Sequence, residues 1–85
     1  SSTKPFKAYS NRIAWLRGIT DKPNSKFNIT IKDGLGRTKL QKFACRSGQS
    51  KEYGELINLE TMLGEDLQVT VDGIEGAENI QLFLN

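Results

Sequence analysis

The only thiol in the 85 residues is Cys45, and the chain has no histidine to take its proton. A nucleophilic cysteine needs a base or a cationic neighbour to hold the thiolate. Arg46 is adjacent, but successive residues of a strand point to opposite faces, so its help is weak. Cys45 therefore reads as a small apolar core residue. A single cysteine also excludes an internal disulfide, and without histidine the usual zinc and copper sites lose their main ligand. Carboxylates are more plentiful: Glu52, Glu55, Glu60, Glu65, Asp66, Asp72, Glu75 and Glu78. Acid–base catalysis by a pair needs one member raised by burial. These residues fall in turns and on polar faces, where water keeps them ionised. Asp66, Asp72, Glu75 and Glu78 also lack the alternating spacing of an EF-hand loop. Gly34-Leu35-Gly36 before Arg37, and Gly48 near Lys51, have neither P-loop spacing nor a following helix. Hairpin and loop geometry explains these glycines. The expectation is a non-catalytic domain with no metal and no cofactor.

Charge is the stronger functional signal. All twelve Lys and Arg residues lie in positions 1–51 beside two acids, a balance of +10, whereas positions 52–85 hold eight acids and no cation, a balance of −8. Such asymmetry points to a partner of one sign. Lys22, Lys26, Lys32, Arg37, Lys39, Lys42, Arg46 and Lys51 cluster on and around one hairpin that also carries Phe27 and Phe43, with Trp15 nearby. A cationic groove with exposed rings holds single-stranded nucleic acid. Against this, Phe27 and Trp15 share the parity of core residues, and an acidic half folded beside the basic one weakens long-range attraction. Cross-strand pairing could also consume the charges internally. Tyr53, in a polar loop over Ser47–Gly54, is the one aromatic residue placed to meet a sugar or another ligand, although a tyrosine capping the core is the preferred reading. Asn28-Ile29-Thr30 matches a glycosylation sequon, but it falls mid-strand.

The elements that would position these residues are mostly strands. Ser1–Ser10 is polar, with Pro5, and reads as an arm or edge segment before a single domain over 11–85. Arg12–Thr20 reads as a strand with Ile13, Trp15 and Ile19 inward. Lys26–Lys32 alternates cleanly, with Phe27, Ile29 and Ile31 against Asn28, Thr30 and Lys32. Asp33-Gly34-Leu35-Gly36 is a tight turn, and Arg37–Arg46 returns. Leu40 sits on one parity there and Phe43 and Cys45 on the other, so a bulge is expected near Gln41–Lys42. Glu55–Gly64 is ambiguous between a short strand followed by a turn, the preferred reading, and a helix. Asp66–Val71 is a strand closed by Asp72-Gly73. Glu78–Asn85 is the last, with Ile80, Leu82 and Leu84 on one face and Phe83 on the other. No apolar run has the ~20 residues that a membrane-spanning helix needs.

Five to six strands with short connections predict a small antiparallel β-sandwich of jelly-roll or immunoglobulin-like type. The run Gly54–Val71 resembles the strand–turn–strand of galactose-binding-like β-sandwich domains. If residues 55–63 are helical, the element order instead resembles the five-stranded OB barrel, with its helix between the third and fourth strands. The functional expectation is an interaction or assembly module, part of a larger protein or complex. Its partner would be a protein, or a second copy, selected by charge complementarity. A single-strand nucleic-acid binder and a carbohydrate-binding module are the alternatives.

Overall fold

The computed structural model describes residues 2–45 and 52–85. Seven strands run in the order β1 (Ser2–Lys7), β2 (Arg12–Thr20), β3 (Lys26–Lys32), β4 (Thr38–Cys45), β5 (Glu52–Glu60), β6 (Asp66–Glu75) and β7 (Ile80–Leu84). They form two antiparallel sheets packed as a sandwich, one ordered β1-β6-β3-β4 and the other β5-β2-β7. Pairing is nested, β1 with β6, β2 with β5 and β3 with β4, in the manner of a jelly roll. Among the described residues there is no helix and no barrel closure, so the OB-like alternative falls. Residues 55–60 complete β5, and the turn begins at Thr61.

Alternation makes the core. Phe27, Ile29 and Ile31 of β3 are fully buried and meet Leu67, Val69 and Val71 of β6 within their sheet, and Leu16, Leu59 and Leu84 from the opposing one. Phe27 is the largest of them. Its ring packs edge-on to Tyr53 at 6.0 Å and lies beneath Gly18, where a Cβ would come within 3.3 Å of both Phe27 and Leu82. Glycine suits that point because any side chain would press on the ring and on Leu82, which would have to give by a few tenths of an ångström.

Three departures from simple alternation reset which residues face inward. In β2 the N–H groups of Ala14 and Trp15 both donate to the Asn85 carbonyl, at 2.7 and 2.9 Å, and on the other side Ile57 and Asn58 together oppose Ala14. This bulge shifts the phase between Ile13 and Leu16, both buried, so Trp15 faces solvent rather than the core. Ile19, expected inward, lies on the outer face as well, beside Glu52 and Gln81. The hairpin bulge is at Lys39, skipped between the pairs Ile31–Leu40 and Lys32–Thr38, not at Gln41–Lys42. Leu40 and Ala44 then share the inner side, while Phe43 is 61% exposed. The side chain of Cys45 lies outside the described residues. Finally, Asp72-Gly73 does not end β6. Gly73 adopts φ +60° in a bulge opposite Phe27, and the strand continues to Glu75.

Ser2–Lys7 is an edge strand on β6, with Phe6 opposite Leu67, and Pro5 sits where a missing N–H costs nothing. The loops are tied by carboxylates. Asp21 accepts N–H bonds from Glu78 (3.0 Å) and Asn79 (3.3 Å), joining the β2–β3 and β6–β7 connections. Asp33 caps the hairpin turn by accepting from the Leu35 and Arg37 N–H groups, each at 2.9 Å.

Candidate interaction surfaces

The bulge in β2 creates the most distinctive surface of the molecule. Beyond it, Trp15 and Arg17 point away from the core, and cross-strand partners share their face. Trp15 stands beside Leu56 of β5, and Arg17 stands between Gly54 of β5 and Phe83 of β7. Trp15 is 51% exposed, Leu56 55% and Phe83 41%. The Arg17 guanidinium lies 4.9 Å from the Phe83 ring centre, a cation–π contact that spreads the side chain across the sheet. No atom lies within 4 Å of where a Gly54 side chain would begin, so the neighbouring strand leaves Arg17 uncovered on that side. The outer face of β5-β2-β7 thus has an apolar centre of Trp15, Leu56 and Phe83 around Arg17, with Glu52 and Gln81 beside Ile19 at one end.

The outer face of the four-stranded sheet is the opposite in character. It presents Lys26, Asn28, Thr30 and Lys32 of β3 and Gln68, Thr70 and Asp72 of β6, with Phe43 beside Asn28 as its only large apolar side chain. Thr3 and Thr70 bond to each other through their hydroxyls at 2.9 Å. This is an ordinary wet face.

The cations singled out in the sequence do not come together. Lys22 pairs with Glu78 at 3.4 Å, Arg37 with Asp33 at 2.7 Å, Lys39 with Glu65 at 3.0 Å and Lys42 with Glu55 at 2.8 Å. Lys39 also donates to the Glu60 carbonyl. Lys26 and Lys32 have no ion-pair partner among the described residues, but they sit at opposite ends of β3, roughly 20 Å apart at the usual rise per residue. Arg46 and Lys51 lie outside the described residues. Tyr53, expected in a loop, lies in β5, and its half-buried ring caps the core against Phe27, in line with the preferred reading, while its hydroxyl donates to Glu55. Tyr53, Glu55 and Lys42 form a polar chain across the β4–β5 side of the sandwich.

Three carboxylates are held in the ionised form by their hydrogen bonds. Glu65 is held below its ordinary value by the Met62 N–H and then by Lys39. Asp33 is lowered chiefly by the Arg37 N–H, and Asp21 by the Glu78 N–H. None of the three is raised, as a general acid at neutral pH would be. Among the described residues, no three Cys, Asp or Glu side chains converge to hold a metal ion.

Trp15, Arg17, Leu56 and Phe83 are the surface residues that sequence pattern misses. Only Phe83 carried a usable signal, its parity opposite to Ile80, Leu82 and Leu84. Compared with protein-family models, curated protein sequences and solved structures, the chain matches none.

Proposed function

We propose that this domain is a non-catalytic interaction module that docks a protein partner through the outer face of its three-stranded sheet. The observation that carries this is the contrast between the two outer faces: one sheet is wet outside, and the other exposes Trp15, Leu56 and Phe83 around Arg17. Tryptophan, phenylalanine and arginine are enriched where protein contacts concentrate their energy. Core packing does not account for a half-exposed tryptophan on a strand whose alternate residues are buried. Four of the hairpin-region cations are already matched to carboxylates, so apolar contact, with Arg17 fixing orientation, supports partner binding better than a basic patch.

Site-specific photo-cross-linking in an extract of the source cells tests this. A benzophenone amino acid replacing Trp15 or Leu56 should give one dominant protein adduct, and the same probe at Thr30 on the wet face should give none. Equal labelling from both faces, or no protein adduct at Trp15, would overturn the proposal.

A second reading draws on the same rings. Trp15 and Phe83 beside Arg17 are the parts of a single-strand stacking platform. A gel shift with oligonucleotide across a salt series decides it: salt-sensitive retention that is lost in Trp15→Ala supports nucleic acid, and no retention at low salt removes it. A glycan array with the same variant tests stacking of a sugar on Trp15.

A further inference from the structure

The two sheets are unequal, four strands against three, and the shortfall has a location. On one side of the sandwich β4 and β5 approach closely and Lys42 bridges to Glu55. On the other side β1 and β7 have no Cα atoms within 8 Å of each other. Between them lies an open groove of about 480 Å³, floored by Val69 and Val71 and walled by Phe6, Ile80 and Leu82. Phe6, Ile80 and Leu82 pack against the core cluster yet are only partly covered. The groove has the place and lining of a fourth strand beside β7.

The edges differ in how they are protected. β1 carries Lys4, Pro5 and Lys7. β4 carries Lys39 and Lys42, and β5 carries Glu52, Glu55 and Glu60. β7, Ile80-Gln81-Leu82-Phe83-Leu84, has neither a charge nor a proline. Lysine, proline and bulges are the usual means of stopping strand addition, and β7 lacks all three. Lys4, which lines the groove, and Arg17, over Phe83 at its edge, have no carboxylate partner among the described residues. Lys4 stands opposite Val69 and so shares its core-facing side, at the mouth of the groove. Arg17 reaches over Phe83 on the outer side.

We infer that the free edge of β7 accepts an extended polypeptide segment of a protein partner, with apolar side chains alternating with carboxylates. Its backbone continues the β5-β2-β7 sheet, its apolar side chains fill the groove, and its carboxylates, on the outer face, meet Arg17 where it crosses Phe83. This rests on the interaction-module reading and shares Arg17 with that face, but its site is the free edge of β7, so an unchanged β7 leaves the Trp15 cross-linking result standing.

The test is amide NMR of the whole chain titrated with two capped octapeptides, one alternating valine with glutamate and one alternating valine with lysine. The glutamate peptide should shift and protect amides of Ile80–Leu84 and shift Phe6, binding at least tenfold tighter than the lysine peptide. Arg17→Gln, at an exposed position, should weaken the glutamate peptide at least threefold. Three results would overturn the inference: no change along β7, equal response to both peptides, or β7 shifts that grow with protein concentration alone, which would assign the edge to a second copy.

Discussion

Replacing Gly18 by alanine puts a methyl group between Phe27 of the opposite sheet and Leu82 of the neighbouring strand. The new Cβ lies 3.3 Å from the Phe27 Cζ atom and 3.3 Å from a Leu82 methyl carbon. Ordinary contact begins a few tenths of an ångström further out, so two side chains must move. Phe27 is fully buried and locked against Tyr53, whereas Leu82 lines the open groove and can yield. Overpacking of this kind costs about 1–3 kcal/mol. Alanine recovers roughly 0.4–1 kcal/mol by restricting the unfolded chain. The expected net loss is about 1 kcal/mol, which for a domain of this size lowers Tm by about 4–8 °C. Urea and thermal unfolding followed by Trp15 fluorescence measure it. Phe27→Leu removes the Cζ atom, so in that background Gly18→Ala should cost at least 0.5 kcal/mol less, a coupling read from the double-mutant cycle (magnitude as is usual for residues in contact, about 0.5–3 kcal/mol). If Gly18→Ala costs the same with and without the ring, the glycine is not there to admit Phe27 and the account of the core is wrong.

Other perturbations have equally definite outcomes. Gly73→Ala forces a side chain into φ +60° with its Cβ 2.5 Å from the Asn28 amide nitrogen. Because the amide end can swing away, the backbone term dominates, and chemical denaturation should show a loss of about 1–2 kcal/mol. Ser25→Ala removes a buried hydroxyl that has no hydrogen-bond partner among the described residues, so denaturation should show stability unchanged or raised by about 1 kcal/mol. Asp21, Asp33 and Glu65 are all lowered on folding from ordinary values of 3.8, 3.8 and 4.5. The unfolded chain therefore binds protons first as pH falls. The stability these groups confer is present above about pH 4.5 and is lost as pH drops through their folded values. Urea midpoints between pH 8 and pH 2 should stay level in the upper part of that range, since the chain has no histidine, and fall at the acid end. Asp33→Asn should reduce that acid-end fall.

Sequence pattern revealed what depends on local alternation. Lys26–Lys32 reads as a half-buried strand because each residue's fate follows from its neighbours two positions away, and Phe27, Ile29 and Ile31 are core residues as expected. Asp33-Gly34-Leu35-Gly36 is legible for the same reason, since a turn is made by its own four residues. Residues 55–60 also follow the preferred strand reading. Trp15 could not be placed this way. Its direction is set by two amides sharing one carbonyl on Asn85, 70 residues away in the chain, and no property of Ile13-Ala14-Trp15-Leu16 announces that pairing. The Lys39 bulge and the continuation of β6 through Gly73 fail for the same physical reason. A bulge belongs to a pair of strands, and one strand's sequence shows only half of it. The basic hairpin was legible as composition, but its partners were not. Lys22 meets Glu78 and Lys39 meets Glu65 because nested strands bring the acidic half back across the basic one.

That nesting also governs when the molecule can become itself. Of its long pairings, only the β3–β4 hairpin joins neighbours in sequence, while β1 waits for β6 and β2 waits for both β5 and β7. A chain emerging from the ribosome can form that hairpin early, but must carry its first two strands unsatisfied until the closing residues arrive. Assembly dominated by such distant partnerships is slow and leaves sticky intermediates. Until then Ile13 and Leu16 stay uncovered, and the partly made chain is exposed to association through them.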